Sequence, residues 1–197
     1  MSDVRIPAAH IDPMFLDRWS PRAFSSEPIS ADLLDSLFEA ARWAPSSFNE
    51  QPWLFVYAAT EADVRRLRPL LVEKNRQWVD KAPVLAVLLA RRHFASNGKP
   101  NRHYAFDAGA AWLCLALQAR KLGLFAHAMA GFDESRTYQA LGLSRDHYEA
   151  MAMIAIGRYG DLSRLPTELA DRDKPNGRKP PCEVAIGVSA LAGPKTE

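Results

Sequence analysis

The sequence is poor in the residues that staple a chain or bind a structural metal. Its 197 residues include only two cysteines, Cys114 and Cys182. Two cysteines exclude a disulfide framework, and without clustered partners they argue against a zinc site. Cys114 stands among Trp112, Leu113 and Leu115, which predicts a buried, small apolar side chain rather than a reactive one.

Long apolar runs and long runs of consecutive like charges are also missing. The longest apolar run, 83–90, is too short to span a bilayer, and the first residues lack the basic-then-apolar pattern of a leader. The net charge is only +2, and the basic residues do not form one run, so neither a nucleic-acid footprint nor a basic membrane-binding surface is predicted. We therefore expect a cytoplasmic protein.

What is present is an ordinary globular composition, with 48% hydrophobic and 24% charged residues. A chain of this length can bury a core without a staple, so we expect a single domain over residues 1–197. Residues 1–10 form a polar lead-in. From residue 162 onward the chain is polar and proline-rich with little periodicity, so this tail is either disordered or wrapped around another surface.

Helix-like and strand-like segments mix along the chain, which predicts an α+β fold. Helical spacing predicts a short turn at 14–18 and a helix that Ser30 caps and Pro45 stops. Further helices are predicted over 61–81, over the apolar 104–122, and from an Asp133 cap through residue 141. Short apolar runs predict strands at 53–57, 84–89, 125–130 and 151–156. We expect a central sheet, mixed or antiparallel, flanked by helices.

Three polar segments carry side chains that suit a ligand. Residues 18–24 place Arg18, Ser20 and Arg22 between two helices, and guanidinium groups pair bidentately with phosphate. Residues 44–53 form a loop of hydroxyls, amides and prolines that can bond the edge of a planar ring. Residues 129–133 place a glycine where the backbone can approach a ligand. Taken separately, each segment also fits a plainer interpretation: surface arginines, an ordinary turn, and a strand-to-helix turn.

Together and in this order, the segments resemble the nitroreductase superfamily of FMN proteins. That family carries a basic-Ser-x-basic segment followed by Phe, as at 18–24, and Ala-Pro-Ser-Ser-x-Asn-x-Gln-Pro-Trp, as at 44–53. A later Gly-Phe-Asp matches 131–133, and a C-terminal Arg-x-Pro matches 178–180. The order extends over about residues 11–185, and the Pro-Ser-Ser segment is its most specific part.

The resemblance implies an FMN site and assigns its residues. Arg18 and Ser20 would bind the FMN phosphate, with Trp19 adding a backbone contact. Arg22 would face the pyrimidine edge of the flavin, where a cation makes the ring easier to reduce. Arg178 would reach the phosphate from the tail, helped by Lys179. Trp19 and Pro21 depart from the basic or small polar residues that many family members carry, so we expect a phosphate loop of a different shape.

The resemblance also implies a homodimer that shares each flavin between subunits. Four residues of the 44–53 loop would contact the flavin bound mainly to the other chain, and the tail would wrap the partner. Two backbone positions would lie near flavin N5, and an amide would face the pyrimidine edge. In chain order these implied residues are Pro45, Ser46, Ser47 and Asn49 of the loop, Asn75 as the amide, and Ala130 and Gly131 near N5.

The implied activity is NAD(P)H-dependent reduction of nitroaromatics, quinones or similar small electrophiles. NADH or NADPH would reduce the FMN and leave before the oxidant enters, which is a ping-pong mechanism. The sequence has no Gly-x-Gly-x-x-Gly fingerprint, as expected if the nicotinamide visits an open flavin face. The alternative is a flavin protein of the same fold that stores, senses or degrades flavin. None of the five histidines has metal-like spacing, so we interpret them as structural or surface residues.

Overall fold

A four-stranded antiparallel sheet forms the centre of the protein, described here from a computed structural model that covers residues 5–190. The strands are β1 (Trp53–Ala58), β2 (Val84–Arg91), β3 (Phe125–Met129) and β4 (Tyr148–Gly157). They lie in the order β1-β2-β4-β3, and every neighbouring pair is antiparallel. The sequence left mixed and antiparallel pairing open, and the structure selects the antiparallel one.

Seven α-helices lie within the described residues. They are α1 (Met14–Asp17), α2 (Ala31–Arg42), α3 (Glu61–Leu67), α4 (Glu73–Val79), α5 (Tyr104–Lys121), α6 (Glu134–Leu141) and α7 (Thr167–Ala170). Short 3-10 turns lie at Ser47–Asn49, Arg68–Leu70, Leu162–Arg164, Pro181–Glu183 and Val188–Ala190. The α+β prediction is therefore confirmed, and so are the four strands and the central helix.

The sheet is covered on both faces, and β2 is apolar at every position except its last. Side chains alternate along a strand, so Val84, Ala86 and Leu88 pack with α2 and α5, whereas Leu85 and Val87 face the side of α3, α4 and α6. Each fully buried leucine or valine contributes roughly 1.5–3 kcal/mol to folding. The burial of both faces explains why β2 is a continuous apolar run.

The prediction of one helix over 61–81 is wrong. The chain forms α3, a 3-10 turn at Arg68–Leu70 and then α4, with Leu71 and Val72 in extended conformation between them. The break lies at Pro69, because proline lacks the N–H that continues a helix and its ring crowds the preceding turn. The extended link forms a bridge from Leu71 to Phe132, which carries α4 to the end of β3.

Two helix-end predictions have different outcomes. Asp133 caps α6 as predicted, since its carboxylate accepts a hydrogen bond from the Arg136 N–H at 2.9 Å. Ser30 occupies the N-cap position of α2, but its hydroxyl makes no capping hydrogen bond. Gly123 follows α5 with a φ of +73°, the left-handed conformation that ends a helix and that glycine adopts without strain.

The tail packs on its own chain over the part that the structure describes. Asp173 is buried, and Asn176 accepts a hydrogen bond from the guanidinium of Arg5 at 3.2 Å. The tail is thus held on its own chain around these two residues, whereas residues 177–190 are exposed. The outermost parts of the predicted lead-in and tail, residues 1–4 and 191–197, lie outside the described residues.

Candidate functional site

Three arginines from both ends of the chain converge at one place. Arg5 donates through Nη1 to the carbonyl oxygen of Arg18 at 2.9 Å and also bonds the carbonyl of Leu16. Arg18 donates through Nη1 to the Ser20 hydroxyl at 3.4 Å. The positive charges of Arg178 and Arg5 act on Arg18, so both lie close to it. The two arginines assigned to a phosphate, Arg18 and Arg178, are therefore brought together.

The electrostatics of this arginine cluster (Arg5, Arg18 and Arg178) favour an anion. Burial lowers the pKa of Arg18, and the charges of Arg178 and Arg5 lower it further. The pKa of Arg5 is lowered by burial and by Arg178, and Asp17 offsets only part of this shift. None of the three forms a salt bridge among residues 5–190, and Nη2 of Arg5 is buried there without a hydrogen-bond partner. A dianionic group at this place would supply the missing acceptor and the missing negative charge.

Arg5 was missed in the sequence analysis. It stands in a lead-in without periodicity, and its contact with Asn176 joins residues 171 positions apart. No local pattern signals such a pairing, because only the folded chain brings the two ends together. Lys179, in contrast, was assigned to the phosphate, but it forms an ion pair with Glu183 at 3.4 Å on an exposed surface. It lines a cavity of about 610 Å³ together with Arg5 and Arg178.

The backbone that carries Arg22 is held from two sides, by the buried side chain of Asp173 and the partly buried side chain of His127. Asp173, on the tail, accepts hydrogen bonds from the N–H groups of Arg22 at 2.6 Å and Ala23 at 3.1 Å. On β3, Nδ1 of His127 lies 2.8 Å from the carbonyl oxygen of Pro21, and its ring packs at a tilt against Trp78 with centroids 4.6 Å apart. Burial lowers the pKa of His127, and the nearby charge of Arg22 lowers it further. The neutral ring therefore donates to Pro21, which makes His127 a structural residue.

Trp19 anchors the same segment through its ring. The indole packs edge-on against the Phe125 ring, with centroids 5.8 Å apart. It packs at a tilt against the Tyr159 ring, with centroids 5.6 Å apart. The guanidinium of Arg120, in the last turn of α5, lies 4.0 Å above the Phe125 ring. The arginine cluster is thus attached to the C-terminal end of α5.

The loop at 44–53, which we call the amide loop, has a strained backbone. Phe48, Asn49 and Gln51 adopt φ values of +54°, +53° and +49°, in the left-handed region that costs non-glycine residues of order 1 kcal/mol or more each. The hydroxyl of Ser46 accepts from the Gln51 N–H at 3.0 Å, and the Gln51 side chain donates to the Asn49 carbonyl at 3.0 Å. Strain of this kind persists where the surrounding structure holds it, and it is typical of ligand-binding loops.

A buried carboxylate in α5 holds the amide loop. Asp107 is 1% exposed and accepts a hydrogen bond from the Ser47 N–H at 3.2 Å. Asp107 was not predicted as a site residue, because a single acidic residue in an apolar helix usually faces solvent. Pro45, Ser46 and Ser47 line a small cavity with residues of the same helix end. The amide loop is therefore attached to the N-terminal end of α5.

The two halves of the predicted site lie at opposite ends of one helix. Asp107 and Lys121 are separated by fourteen residues of α5, which corresponds to about 20 Å at 1.5 Å per residue. The structure brings together Arg18, Ser20 and Arg178, and it brings together Pro45, Ser46, Ser47 and Asn49, but it separates the two groups within one chain.

Gly131 and Asn75 form a third element of the site. The Asn75 amide donates to the Gly131 carbonyl at 2.9 Å, and the Val72 N–H donates to the same oxygen at 3.1 Å. A Cβ on Gly131 would lie 2.8 Å from both Asn75 Nδ2 and Val72 Cγ2, so a larger residue would have to displace these two side chains. The break at Pro69 creates this contact. Within residues 5–190 the amide oxygen of Asn75 accepts no hydrogen bond, and Ala130 directly precedes Gly131 in the chain.

Residues 5–190 contain neither a metal-binding cluster nor a helix that could span a membrane. No group of three His, Cys, Asp or Glu side chains there is arranged to hold a metal ion. Within the same part of the chain, no helix has the length and apolar character needed to cross a membrane.

Comparison with known proteins identifies relatives. The nitroreductase family model matches residues 16–77 and 70–158. A solved structure described as an oxidoreductase containing FMN is 40% identical, with a TM-score of 0.91 and 98% of both chains covered. A Streptomyces coelicolor protein provisionally named NADH dehydrogenase/NAD(P)H nitroreductase is 33% identical over 66% of this chain and 73% of its own. An Exiguobacterium sibiricum structure, provisionally described as a nitroreductase in complex with FMN, shares the fold at 20% identity and a TM-score of 0.73, over 93% and 99% of the chains.

The family match includes most of the residues discussed above. Its first part contains Arg18, Ser20, Arg22 and the amide loop, and its second part contains Gly131. It ends before Arg178 and Asp173, so the contribution of the tail comes from the structure of this chain.

Proposed function

Because the chain belongs to the nitroreductase family, we propose that it is an FMN-dependent NAD(P)H oxidoreductase that reduces small electrophiles such as nitroaromatics or quinones. The similar structure described as containing FMN and the similar proteins named NAD(P)H nitroreductase support the cofactor and the electron donor. When bound, FMN supplies a ring that accepts a hydride from reduced nicotinamide and passes electrons to an oxidant. The protein's part is to bind, orient and tune that ring.

The observation that carries this proposal is the arginine cluster. Three guanidinium groups crowd together without a salt bridge in the described residues, and one buried N–H of Arg5 has no acceptor. Such an arrangement is costly unless an anion completes it, since like charges within a few ångströms disfavour one another. The phosphate of FMN has the charge and the acceptor oxygens to do so.

The remaining residues fit the rest of the cofactor. Arg22 would place a positive charge beside the pyrimidine edge, which favours the reduced ring because that ring carries negative charge there. The free amide oxygen of Asn75 would accept from an N–H of the same edge, and the glycine at 131 would let the backbone approach N5. No acid–base residue is required for the hydride step. Lys179 would attract the phosphate by its charge without contacting it.

Two subunits are needed to complete the site. Asp107, which holds the amide loop, and Arg120, which packs on the Phe125 ring beside Trp19, lie about 20 Å apart along α5, so one chain presents the two groups at opposite ends of that helix. We infer that the amide loop contacts the FMN of a second copy of the chain and that the outer tail lies against that copy. One open flavin face would then serve donor and oxidant in turn, with ping-pong kinetics.

The test begins with the purified protein. It should be yellow, NADH or NADPH should bleach it without oxygen, and a nitroaromatic or quinone should restore the colour. Initial rates at varied donor and oxidant concentrations should give parallel double-reciprocal lines. A yellow protein that neither nicotinamide bleaches would instead favour flavin storage or degradation. Sedimentation should show two subunits, and a flavin-loaded monomer would contradict the shared site.

A further inference from the structure

The segment between β2 and α5 concentrates positive charge. Residues 91–103, which we call the basic loop, contain four Arg or Lys residues and two histidines, with no Asp or Glu. The charged residues are Arg91, Arg92, Lys99 and Arg102. For a chain with a net charge of +2, this is a local excess that requires a physical account.

The basic loop is fastened to the amide loop by several contacts. The Ala95 N–H donates to the Glu50 carboxylate at 2.8 Å, and the Arg91 N–H donates to the Pro52 carbonyl at 2.8 Å. The Phe48 and Phe94 rings meet edge to face with centroids 5.8 Å apart. The amide loop therefore carries the basic loop with it to the proposed flavin of the other subunit.

The basic loop is also internally ordered. His93 and Pro100 form an antiparallel bridge, and the Phe94 N–H donates to the Lys99 carbonyl at 2.9 Å. Asn101 is buried, donates from its backbone to the Arg92 carbonyl at 2.8 Å, and accepts from the His103 N–H at 3.0 Å. A loop held in this way presents its charges without a large ordering cost on binding.

Two of its four cations have no carboxylate partner in the described structure. Arg91 lies 3.8 Å from Glu50, and Arg92 lies 3.6 Å from Glu149. Within residues 5–190, neither Lys99 nor Arg102 forms a salt bridge, and both are exposed. These two charges are available to an incoming anion.

Two phenylalanine rings lie on the elements joined to the basic loop, Phe48 on the amide loop and Phe106 in the first turn of α5. Phe48 is 89% exposed and Phe106 is 80% exposed, although an exposed phenyl ring is unfavourable in water. Phe106 and His103 line a cavity of about 180 Å³ with three residues of the amide loop and Asp107. Cavities of roughly 150 Å³ hold a benzene molecule, so this volume suits one six-membered ring.

We propose that the basic loop and these rings form the oxidant-binding surface, and that it selects single-ring aromatic oxidants bearing a negative charge, with Lys99 and Arg102 contacting the anionic group. This proposal rests on the proposed function, since the oxidant must approach an FMN that the amide loop contacts. It adds the substrate class, which the family assignment leaves open.

The experiment isolates the oxidant from the nicotinamide. The FMN-loaded protein is reduced anaerobically with one equivalent of dithionite and mixed with para-nitrobenzoate or with para-nitrobenzamide, its neutral counterpart. The second-order rate constant for the return of the oxidised-flavin absorbance is measured. In the Lys99→Gln/Arg102→Gln variant, we expect the constant for para-nitrobenzoate to fall about tenfold and that for para-nitrobenzamide to change by less than about twofold.

Two controls separate local charge from net charge. The Arg65→Gln/Arg66→Gln variant makes the same change in net charge on α3, on the other side of the sheet, and should leave both rate constants unchanged. High salt should slow the wild-type reaction with para-nitrobenzoate toward the rate of the basic-loop variant, because screening weakens exposed charge pairs.

Three results would overturn the proposal. An equal loss with both oxidants would show that the loop acts through shape, and no loss with either would remove it from the site. A defect confined to reduction by NADPH would assign the cations to the dinucleotide. If wild-type reduced protein is reoxidised by neither compound nor by a quinone, the proposed function itself fails, which is visible before any variant is compared.

Discussion

Replacing Arg18 by alanine tests the arginine cluster most directly. Its guanidinium stands beside Arg5 and Arg178 and bonds the Ser20 hydroxyl. A hydrogen bond to a charged group contributes about 1.5–3 kcal/mol, so Arg18→Ala should raise the dissociation constant of FMN about 10- to 150-fold. Riboflavin, which has the same ring and no phosphate, should bind the variant as well as it binds the wild type.

The same change should not weaken the protein without its cofactor. Because burial, and then the neighbouring positive charges, lower the pKa of Arg18, its charge is disfavoured in the folded chain. Removing that charge relieves repulsion, so the apo variant should unfold at the same temperature as the wild type or slightly higher. The measurements are fluorescence titrations with FMN and riboflavin, and thermal unfolding of the apo protein.

A matched control is Arg65→Ala, which removes an exposed arginine paired with Glu61 on α3. It should change neither titration. Equal losses of FMN and riboflavin affinity in Arg18→Ala would show that the residue supports the fold of the site rather than the phosphate. An unchanged FMN affinity would remove Arg18 from the phosphate contact altogether.

Three further predictions concern the residues that hold the site. Asp173→Ala should destabilise the protein by about 2–3 kcal/mol in urea unfolding, because it leaves two backbone N–H groups without an acceptor. Asp173→Asn should recover part of this loss. An Asp173→Ala variant as stable as the wild type would refute the role of the tail. Gly131→Ala should lower the free energy of unfolding by about 1–3 kcal/mol, because the new Cβ would collide with Asn75 and Val72. Gly109→Ala, in α5 with open space around its Cβ, should leave that free energy unchanged or raise it by up to about 1 kcal/mol. Equal effects of the two substitutions would contradict the packing around Gly131. Because the pKa of His127 is lowered in the folded chain, the unfolded chain binds a proton there more readily. The contribution of His127 to stability is therefore present above about pH 6.5 and is lost as the pH falls below that value. The free energy of unfolding should differ less between about pH 7.5 and about pH 5.5 in His127→Gln than in the wild type.

Some of the site could be read from the sequence because it is local. The amide loop is ten consecutive residues whose prolines and amides determine both its shape and its chemistry, so its recognition required no knowledge of distant contacts. Gly131 and the Asp133 cap are equally local, since a strand end, a glycine and a capping acid occur within a few positions. The central apolar helix and β2 were recognised because each is buried on several sides.

Other parts were missed because they depend on contacts between distant residues. The prediction of one helix over 61–81 failed because apolar spacing was weighed above Pro69. Arg5, Asp107 and Asp173 each act through a partner between 60 and 171 positions away, and nothing near them in the chain signals it. Whether the tail is ordered was likewise undecided until Asp173 was found bonded beneath Arg22.

The sequence alone predicted the four strands, most of the helices, the resemblance to the family and the chemical character of the candidate binding residues, because helical and strand periodicity and short motifs are properties of neighbouring residues. Only the tertiary structure decided that both chain ends meet in one cationic cluster and that the amide loop stands at the far end of α5 from it. The meeting of the arginines and their separation from the amide loop depend on how α5 packs on the sheet. Burial of the apolar residues on both faces of the sheet determines that packing.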